Sequence, residues 1–360
     1  MSKYILVLFL LIIFSSTNAQ TIEIKEFNKD LVRYYDLIDK AEQSLVNENY
    51  NSALNLYDKA FRIYKNSFAA DLYNSALIAS ISGKYNKTYK YLAELSKLGL
   101  DPNSLKELKM LNGFWNSSYG KKAEVLDSLT PKTYDVEYRN TILELEEKDQ
   151  HFRRMKNSYK LYMDTINSID KENVDVLLNL IKTKGFPSER LTGVSRNGIK
   201  LPALVIIIHQ NNRKGRVYNF SEIIKNAAFS GDLRNTTASY YIEGATGTRG
   251  GIYNPFSLIR GSYDSSFIVL DKMGNQIKKD TTFYTKWGYS KIEDSILKKN
   301  ELNRSSLHLE NTQLALKKDI FRMTKYPELV IGSPDSGLTF RRTKYSEFLY
   351  MKEHLSYLEE

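Results

Sequence analysis

Cysteine is absent from this chain of 360 residues. Its absence excludes disulfide bonds, thiolate metal sites and a lipid anchor on an acylated cysteine. Stability must therefore come from the burial of apolar side chains, and a chain of this length can bury a sizeable core.

Metal-binding and phosphate-binding motifs are also lacking. The four histidines are far apart, and none has the i+4 partner of a zinc-binding helix: His151, His209, His308 and His354. The glycine-rich stretch 244–251 lacks the Gly-Lys-Ser/Thr ending of a phosphate loop, and Asn197 stands where the nucleophile elbow of a serine hydrolase requires glycine. The sequence therefore predicts no metal site and no cofactor.

Long apolar runs are rare, and the longest one lies at the start of the chain. Tyr4 to Phe14 is an unbroken run of about 11 residues, shorter than the roughly 20 that span a bilayer. Lys3 precedes it, and the small or polar residues Thr17-Asn18-Ala19 follow it. We interpret residues 1–19 as a signal peptide cleaved near Ala19, with an uncleaved anchor as the alternative. The protein is then exported, periplasmic or extracellular, and no other run predicts a membrane span.

The formal net charge of +10 has no single location in the sequence. Basic pairs such as Lys121-Lys122 and Arg341-Arg342 are spread along the chain and interleaved with acidic residues. This pattern, together with export, argues against a nucleic-acid partner. It indicates a solvated surface, with attraction to an anionic envelope glycan or to lipid head groups as the alternative.

Two related segments lie within residues 28–112. NENYNSALNLYDKAF and SGKYNKTYKYLAELSKLGLDP align with Tyr50 opposite Tyr85 and Ala53 opposite Thr88, at an offset of about 35 residues. The pair resembles the two-helix tetratricopeptide repeat, although Thr88 replaces the usual alanine and only two units are clear. Such repeats usually offer a concave face to a partner protein or peptide. The alternative is that this short stack is a packing platform for the domain beside it.

A helix with a carboxylate in its apolar stripe follows a predicted linker at 113–138. Apolar residues recur at helical spacing from Leu145 to Ile169, and Asp149 lies within that stripe. A buried carboxylate needs partners, because an unpaired buried charge is strongly destabilising. Arg153 follows at the i+4 spacing, and Gln150 lies beside Asp149.

The boundaries of the next predicted elements are marked by helix-capping residues, proline and glycine. Asp170–Asn173 is predicted to cap a second helix that ends at Gly185. The run 203–208 is open to two interpretations, because its β-branched content favours a strand whereas Pro202 favours a helix start. A further helix is predicted to end at Gly231.

The last third of the chain is predicted to be more irregular. Residues 243–287 read as an inserted mobile loop followed by a β-hairpin that turns at 273–275. Helix is expected again from Ser290 to Thr324. Residues 326–360 are predicted to form a C-terminal turn and a last helix at 345–358.

Four stretches together resemble a bacterial domain family of unknown function that is common in exported proteins. They are LEEKDQHFRRM, IDKENVDVLLNLIKTKGFPSERLTG, LPALVIIIHQNN and FSEIIKNAAFSGDL, and with a closing helix they cover about residues 139–318. The resemblance implies a mainly helical domain and no established activity. Ile208 stands where the family usually has glutamine before the histidine.

The expected architecture is therefore mainly α. Tetratricopeptide-like helical hairpins at 28–112 precede a helical domain at 139–325, which carries the inserted loop and a small β-hairpin at 243–287.

Asp149, Gln150, Arg153 and His209 form the candidate polar site. If the helices that carry them pack together, Asp149 could orient the His209 imidazole while Arg153 binds an anionic group. The alternative is a satisfied polar network that fixes helix register. We expect a non-catalytic exported scaffold or binding protein whose partner is a protein, a peptide or an anionic envelope glycan. The alternative is an enzyme that acts on a cell-envelope substrate through Asp149, Arg153 and His209.

Overall fold

The structure is a computed structural model, and it describes residues 27–210, 216–247, 253 and 293–332 together with five short strands. The predicted signal peptide, 1–19, lies outside the described residues. Within them the chain is mainly helical, as the sequence predicts. No helix in this described part is both long enough and apolar enough to cross a membrane.

Four helices form the first region: α1 (Lys29–Val46), α2 (Tyr50–Ile63), α3 (Ala69–Ile81) and α4 (Tyr85–Lys97). Asn28 and Asn49 cap α1 and α2, since their side chains accept from backbone N–H groups of the first turn. The short turns pair α1 with α2 and α3 with α4. Helix α3 is buried along almost its whole length, so other parts of the chain cover it.

Residues 113–138, the predicted linker, are packed against the first four helices. After two 3₁₀ turns at Pro102–Leu105 and Lys109–Leu111, the chain forms α5 (Asn112–Trp115), α6 (Ser118–Ala123) and α7 (Leu126–Leu129). Phe114, Ala123 and Leu126 are buried in the core of the first four helices. Each of these helices is too short to show an apolar period, so none of them could be predicted from the sequence.

The predicted long apolar stripe is divided among three helices: α8 (Val136–Arg153), α9 (Ser158–Leu161) and α10 (Met163–Lys184). The chain breaks before α9 at Asn157, whose φ of 58° is in the left-handed region. Helix α10 ends at Gly185, with a φ of 93°, which confirms the predicted helix end.

The prediction that Asp170–Asn173 caps a second helix is wrong. Both end residues lie inside α10 and are buried. The Asp170 carboxylate accepts from Arg153, and the Asn173 side chain donates to the Leu145 carbonyl. These side chains form hydrogen bonds with residues distant in the sequence. Their preference for helix caps is only a local tendency, and these tertiary contacts override it.

Six further helices complete the described helical part. They are α11 (Glu189–Thr192), α12 (Ala203–His209), α13 (Ser221–Ser230), α14 (Asn235–Thr246), α15 (Asp294–Ser306) and α16 (Thr312–Thr324). The ambiguous run 203–208 is therefore helical. Helix α13 ends at Gly231, as predicted, in a left-handed conformation.

Five short strands fall outside the helical part: β1 (Leu258–Arg260), β2 (Val269–Leu270), β3 (Gln276–Lys278), β4 (Trp287–Ser290) and β5 (Leu355–Tyr357). Strand β4 lies between β1 and β5, antiparallel to both, and β2 pairs antiparallel with β3. The turn predicted at 273–275 lies outside the described residues. The helix predicted at 345–358 is wrong where it can be checked, because residues 355–357 pair with β4 as a strand.

The face formed by α1 and α3 is covered by the chain itself. Arg234 Nη2 lies 2.9 Å from Glu42 Oε1 and 2.8 Å from Asp71 Oδ1, and Lys318 Nζ lies 2.7 Å from Glu42 Oε2. The Asn74 side chain both donates to and accepts from the backbone of Val330, at 2.8 Å each. This face is therefore a platform for the rest of the chain.

Candidate functional site

The packing of α12 against α8 brings all four predicted site residues together. The Asp149 carboxylate is at the centre. Arg153 Nη1 donates to its Oδ1 at 3.0 Å, and Gln150 Nε2 donates to its Oδ2 at 2.8 Å. His209 Nδ1 lies 2.9 Å from Oδ1 and 2.8 Å from Oδ2.

Beside an ionised Asp149 carboxylate, these contacts favour one tautomer of His209. The guanidinium of Arg153 can only donate, and an ionised Asp149 can only accept. The His209 Nδ1 must then carry the proton that it shares with Asp149. In the neutral imidazole the lone pair is consequently on Nε2, which is the form of a base that an aspartate orients.

Arg153 bridges two buried carboxylates. Its Nη2 lies 2.6 Å from Asp170 Oδ1, and its Nη1 also donates to the Asp149 carbonyl at 2.8 Å. Burial alone would lower the pKa of Arg153, but the hydrogen bond to Asp170 and the charge of Asp149 raise the pKa above its usual value. Both Nη atoms bind internal carboxylates, so the structure gives no support to the expectation that Arg153 holds an anionic ligand.

Exposure differs sharply within this cluster. The Asp149, Arg153 and Asp170 side chains are only 1%, 6% and 2% exposed, whereas the His209 side chain is 23% exposed. The charged groups are thus enclosed and paired with one another, whereas the His209 imidazole and the Gln150 side chain remain partly exposed. Such a network can fix the register of α8, α10 and α12, and it also presents an oriented imidazole at the surface.

Asp170 belongs to this cluster, although the sequence prediction did not include it. The available signal was its spacing, because Ile166, Asp170, Val174 and Leu177 fall on one face of α10 at helical intervals and all four are buried. A charged residue in that stripe needs a buried partner. Its place in a run of good capping residues concealed that signal.

A second candidate site is a cleft of about 610 Å³ on the side of the first region where α2 and α4 meet. The ring of Phe61 contacts that of Tyr91, with 5.9 Å between centroids, and joins the two helices. The volume is within the range of about 300–1,000 Å³ that is usual for small-molecule sites. No sequence motif marks this cleft, because its walls come from residues 58–133 and from Arg190.

The cleft is basic, since its acidic residues have internal partners. The Asp58 carboxylate accepts from Lys87 at 2.6 Å and from the Tyr91 hydroxyl at 2.7 Å. Burial would raise the pKa of Asp58, but these two hydrogen bonds lower the pKa below its usual value. Glu94 pairs with Lys97 at 2.8 Å.

Three cations remain at the cleft after this pairing: Arg62, Lys65 and Lys90. All three are exposed, and none makes an ion pair with a residue that the structure describes. The charge of Lys90 acts on Asp58, since it helps to lower the pKa of that carboxyl, but the cleft as a whole keeps an excess of positive charge. An anionic ligand would supply the missing counter-charge.

Comparison of the chain with protein-family models, with curated proteins and with solved structures finds no match. Within the described residues, no three His, Asp or Glu side chains are grouped so that they could hold a metal ion.

Proposed function

We propose that the chain is an exported, non-catalytic binding protein that recognises an anionic partner. The proposal includes the cleaved signal peptide at 1–19 and the tetratricopeptide-like character of the two helical hairpins. It also includes membership of residues 139–318 in the exported domain family of unknown function. The signal peptide, the repeat character and the family membership are supported by sequence patterns. The choice of an anionic partner is supported by the geometry of the cleft.

The observation that carries the proposal is the excess positive charge of the cleft. Arg62, Lys65 and Lys90 line it as exposed rim cations that make no close ion pair with a described residue, and the lining also includes the apolar side chains of Phe61 and Leu72. A ligand that supplies anions to the rim and apolar surface to the lining would gain both ionic and hydrophobic contacts. Binding is expected to weaken as salt is added, because the rim cations are exposed.

The position of the cleft also agrees with the rest of the fold. A peptide in the usual concave site of a tetratricopeptide stack would compete with Arg234, Lys318 and Val330, which already cover α1 and α3. The side where α2 and α4 meet carries the cleft instead. A partner of this chain is therefore expected to bind on the α2–α4 side.

A binding experiment with a matched control tests this proposal. The chain from Thr21 onward is titrated with a panel of anionic polymers at low salt, as the parent protein and as the triple variant Arg62→Gln, Lys65→Gln, Lys90→Gln. If each exposed ionic contact contributes about 1 kcal/mol, the triple variant binds at least about a hundredfold more weakly.

The control variant removes the same charge elsewhere on the first region. Lys29→Gln, Lys40→Gln and Lys59→Gln change three lysines that are also exposed but do not line the cleft. This variant is expected to retain parent-like affinity. Equal losses in both variants would mean that only net charge matters, and failure of every anion to bind the parent protein would reject the proposal.

The Asp149–His209 contact favours one second candidate, an enzyme that acts on a cell-envelope substrate. Asp149 lies 2.8–2.9 Å from His209 Nδ1, so an oriented and partly exposed imidazole could act as a general base. The test is a screen of envelope hydrolase substrates with the parent protein and with His209→Gln. A turnover that is equal in the two proteins would exclude His209 as the base.

A further inference from the structure

We propose that the ligand of the basic cleft is a carboxylate-bearing saccharide chain, of which the cleft holds a few sugar rings. This inference rests on the proposed anion-binding function and specifies its ligand. Three properties of the cleft lead to it: the density of its charge, its apolar lining, and the helical nature of its main walls.

The net charge of the cleft is positive, but acidic residues in its lining lower the density of that charge. Asp58 and Glu94 line the same cleft as Arg62, Lys65 and Lys90. Both carboxylates pair with lysines, so a ligand with closely spaced phosphates would bring several negative charges near them. A chain with one carboxylate per ring could meet the rim cations while it avoids the acidic residues. Moderate charge density in the ligand is therefore favoured over a polyphosphate.

The lining of the cleft suits rings that are apolar on their faces and polar at their edges. Phe61, Leu72 and Leu98 contribute apolar surface, and Phe61 is only partly buried, so part of its ring remains accessible. Asn66 and Thr133 add neutral hydrogen-bonding groups at the lining. A sugar ring can pack its C–H face on apolar side chains while its hydroxyls bond to such polar groups.

An acidic peptide is a poorer match for these walls. Extended peptides are commonly bound by strand addition, which requires a sheet edge with free N–H and C=O groups. The two main walls of the cleft are α2 and α4, in which backbone groups are bonded within the helix. A peptide bound in extended form would have to pair its amide groups with side chains, such as those of Asn66 and Thr133, or with water. A saccharide has no backbone amides that require such pairing.

The experiment compares ligands of matched length by isothermal titration calorimetry on the chain from Thr21 onward. The acidic saccharide is an oligogalacturonate of four rings. The others are a neutral glucose oligomer of four rings, an oligoglutamate with four side-chain carboxylates, and tripolyphosphate. Oligogalacturonate is expected to bind at least about tenfold more tightly than each of the other three ligands.

Two variants link that preference to the cleft. The triple variant Arg62→Gln, Lys65→Gln, Lys90→Gln is expected to lose oligogalacturonate binding at least about a hundredfold. Phe61→Leu keeps an apolar side chain but removes the aromatic ring. It is expected to weaken oligogalacturonate several-fold and to leave the binding of tripolyphosphate unchanged.

The outcomes separate the two levels of the proposal. Preference for oligoglutamate or tripolyphosphate, lost in the triple variant, would retain the anion-binding function and overturn the saccharide inference. Tighter binding of the neutral glucose oligomer would also overturn it, because charge would then be dispensable. Absence of binding by every anion would overturn the proposed function itself. An unchanged far-ultraviolet circular dichroism spectrum and melting temperature exclude unfolding as the cause of a loss.

Discussion

Replacement of Arg153 by methionine tests the role of the buried ionic cluster most directly. The change removes the contacts of Nη1 with Asp149 and of Nη2 with Asp170, at 3.0 and 2.6 Å. It leaves two enclosed carboxylates without their shared cation, while the methionine still fills much of the space. Removal of one partner from a buried ion pair costs about 3–5 kcal/mol, because the remaining charge is desolvated without compensation. We expect Arg153→Met to lose that amount of unfolding free energy.

The neighbouring arginine supplies the control. Arg154 pairs with Glu147 at 3.2 Å, but these side chains are 60% and 66% exposed. Exposed pairs of this kind contribute about 1 kcal/mol at most, so Arg154→Met should change stability little. Both variants are compared with the parent protein by urea unfolding followed by circular dichroism, with the slope of the transition checked for each. Equal and small effects of the two substitutions would refute the reasoning.

A double variant separates the two carboxylates. Asp170→Asn in the Arg153→Met background removes one of the two carboxylate charges that lost the guanidinium, and it retains a side chain of similar size. It should therefore recover part of the lost stability. A double variant that is as unstable as the sum of the two single variants would show that the residues act independently.

Three further predictions concern other sites. Burial raises the pKa of Glu189 to about 7, from a usual value of 4.5; the folded state then holds that proton longer, so stability falls between pH 4.5 and 7. Glu189→Gln should lessen this fall. The unfolding free energy, measured by urea titration at pH 5 and at pH 8, should change by on the order of 2 kcal/mol less than in the parent protein. This value is below the full effect of the pKa shift because Glu189 is partly exposed to solvent. Gly193→Ala should cost about 3 kcal/mol, since φ is +68° and a Cβ would lie 2.5 Å from the Leu98 carbonyl, whereas Gly198→Ala meets nothing within 4 Å and should be nearly neutral in the same assay. Leu177→Ala, at a fully buried core position, should lower the unfolding free energy by about 2–5 kcal/mol in the same titration.

The local signals in the sequence predicted much of the helical part of this fold. Gly185 and Gly231 end helices where expected, because positive φ is a backbone requirement that glycine meets at little cost. The contact of Arg153 with Asp149 was also predictable, because helix geometry alone brings residues at i and i+4 together. The contact of His209 with Asp149 was only conditional in the sequence, as it depends on how α12 packs on α8.

Contacts between distant parts of the chain could not be predicted from the sequence. The buried cluster that joins Glu42, Asp71, Arg234 and Lys318 spans most of the described chain, and no periodicity connects its members. Glu42 does lie in the apolar stripe of α1, next to Ala41, which shows that it needs a buried partner but not which one. The basic cleft could not be predicted for a related reason. Its charge depends on which cations make no ion pair once the acidic residues have found partners.

These buried contacts also restrict where the protein can act. Burying Arg234 and Lys318 against α1 and α3 is favourable only while their charges stay paired with Glu42, Asp71 and Glu310. A competing partner at that face would have to break this network and replace several desolvated ion pairs at once. The cleft beside α2 and α4 requires no such exchange, since its three rim cations make no ion pair within the described chain. A ligand would therefore bind there at a much smaller cost, which is the physical reason for proposing recognition on that side.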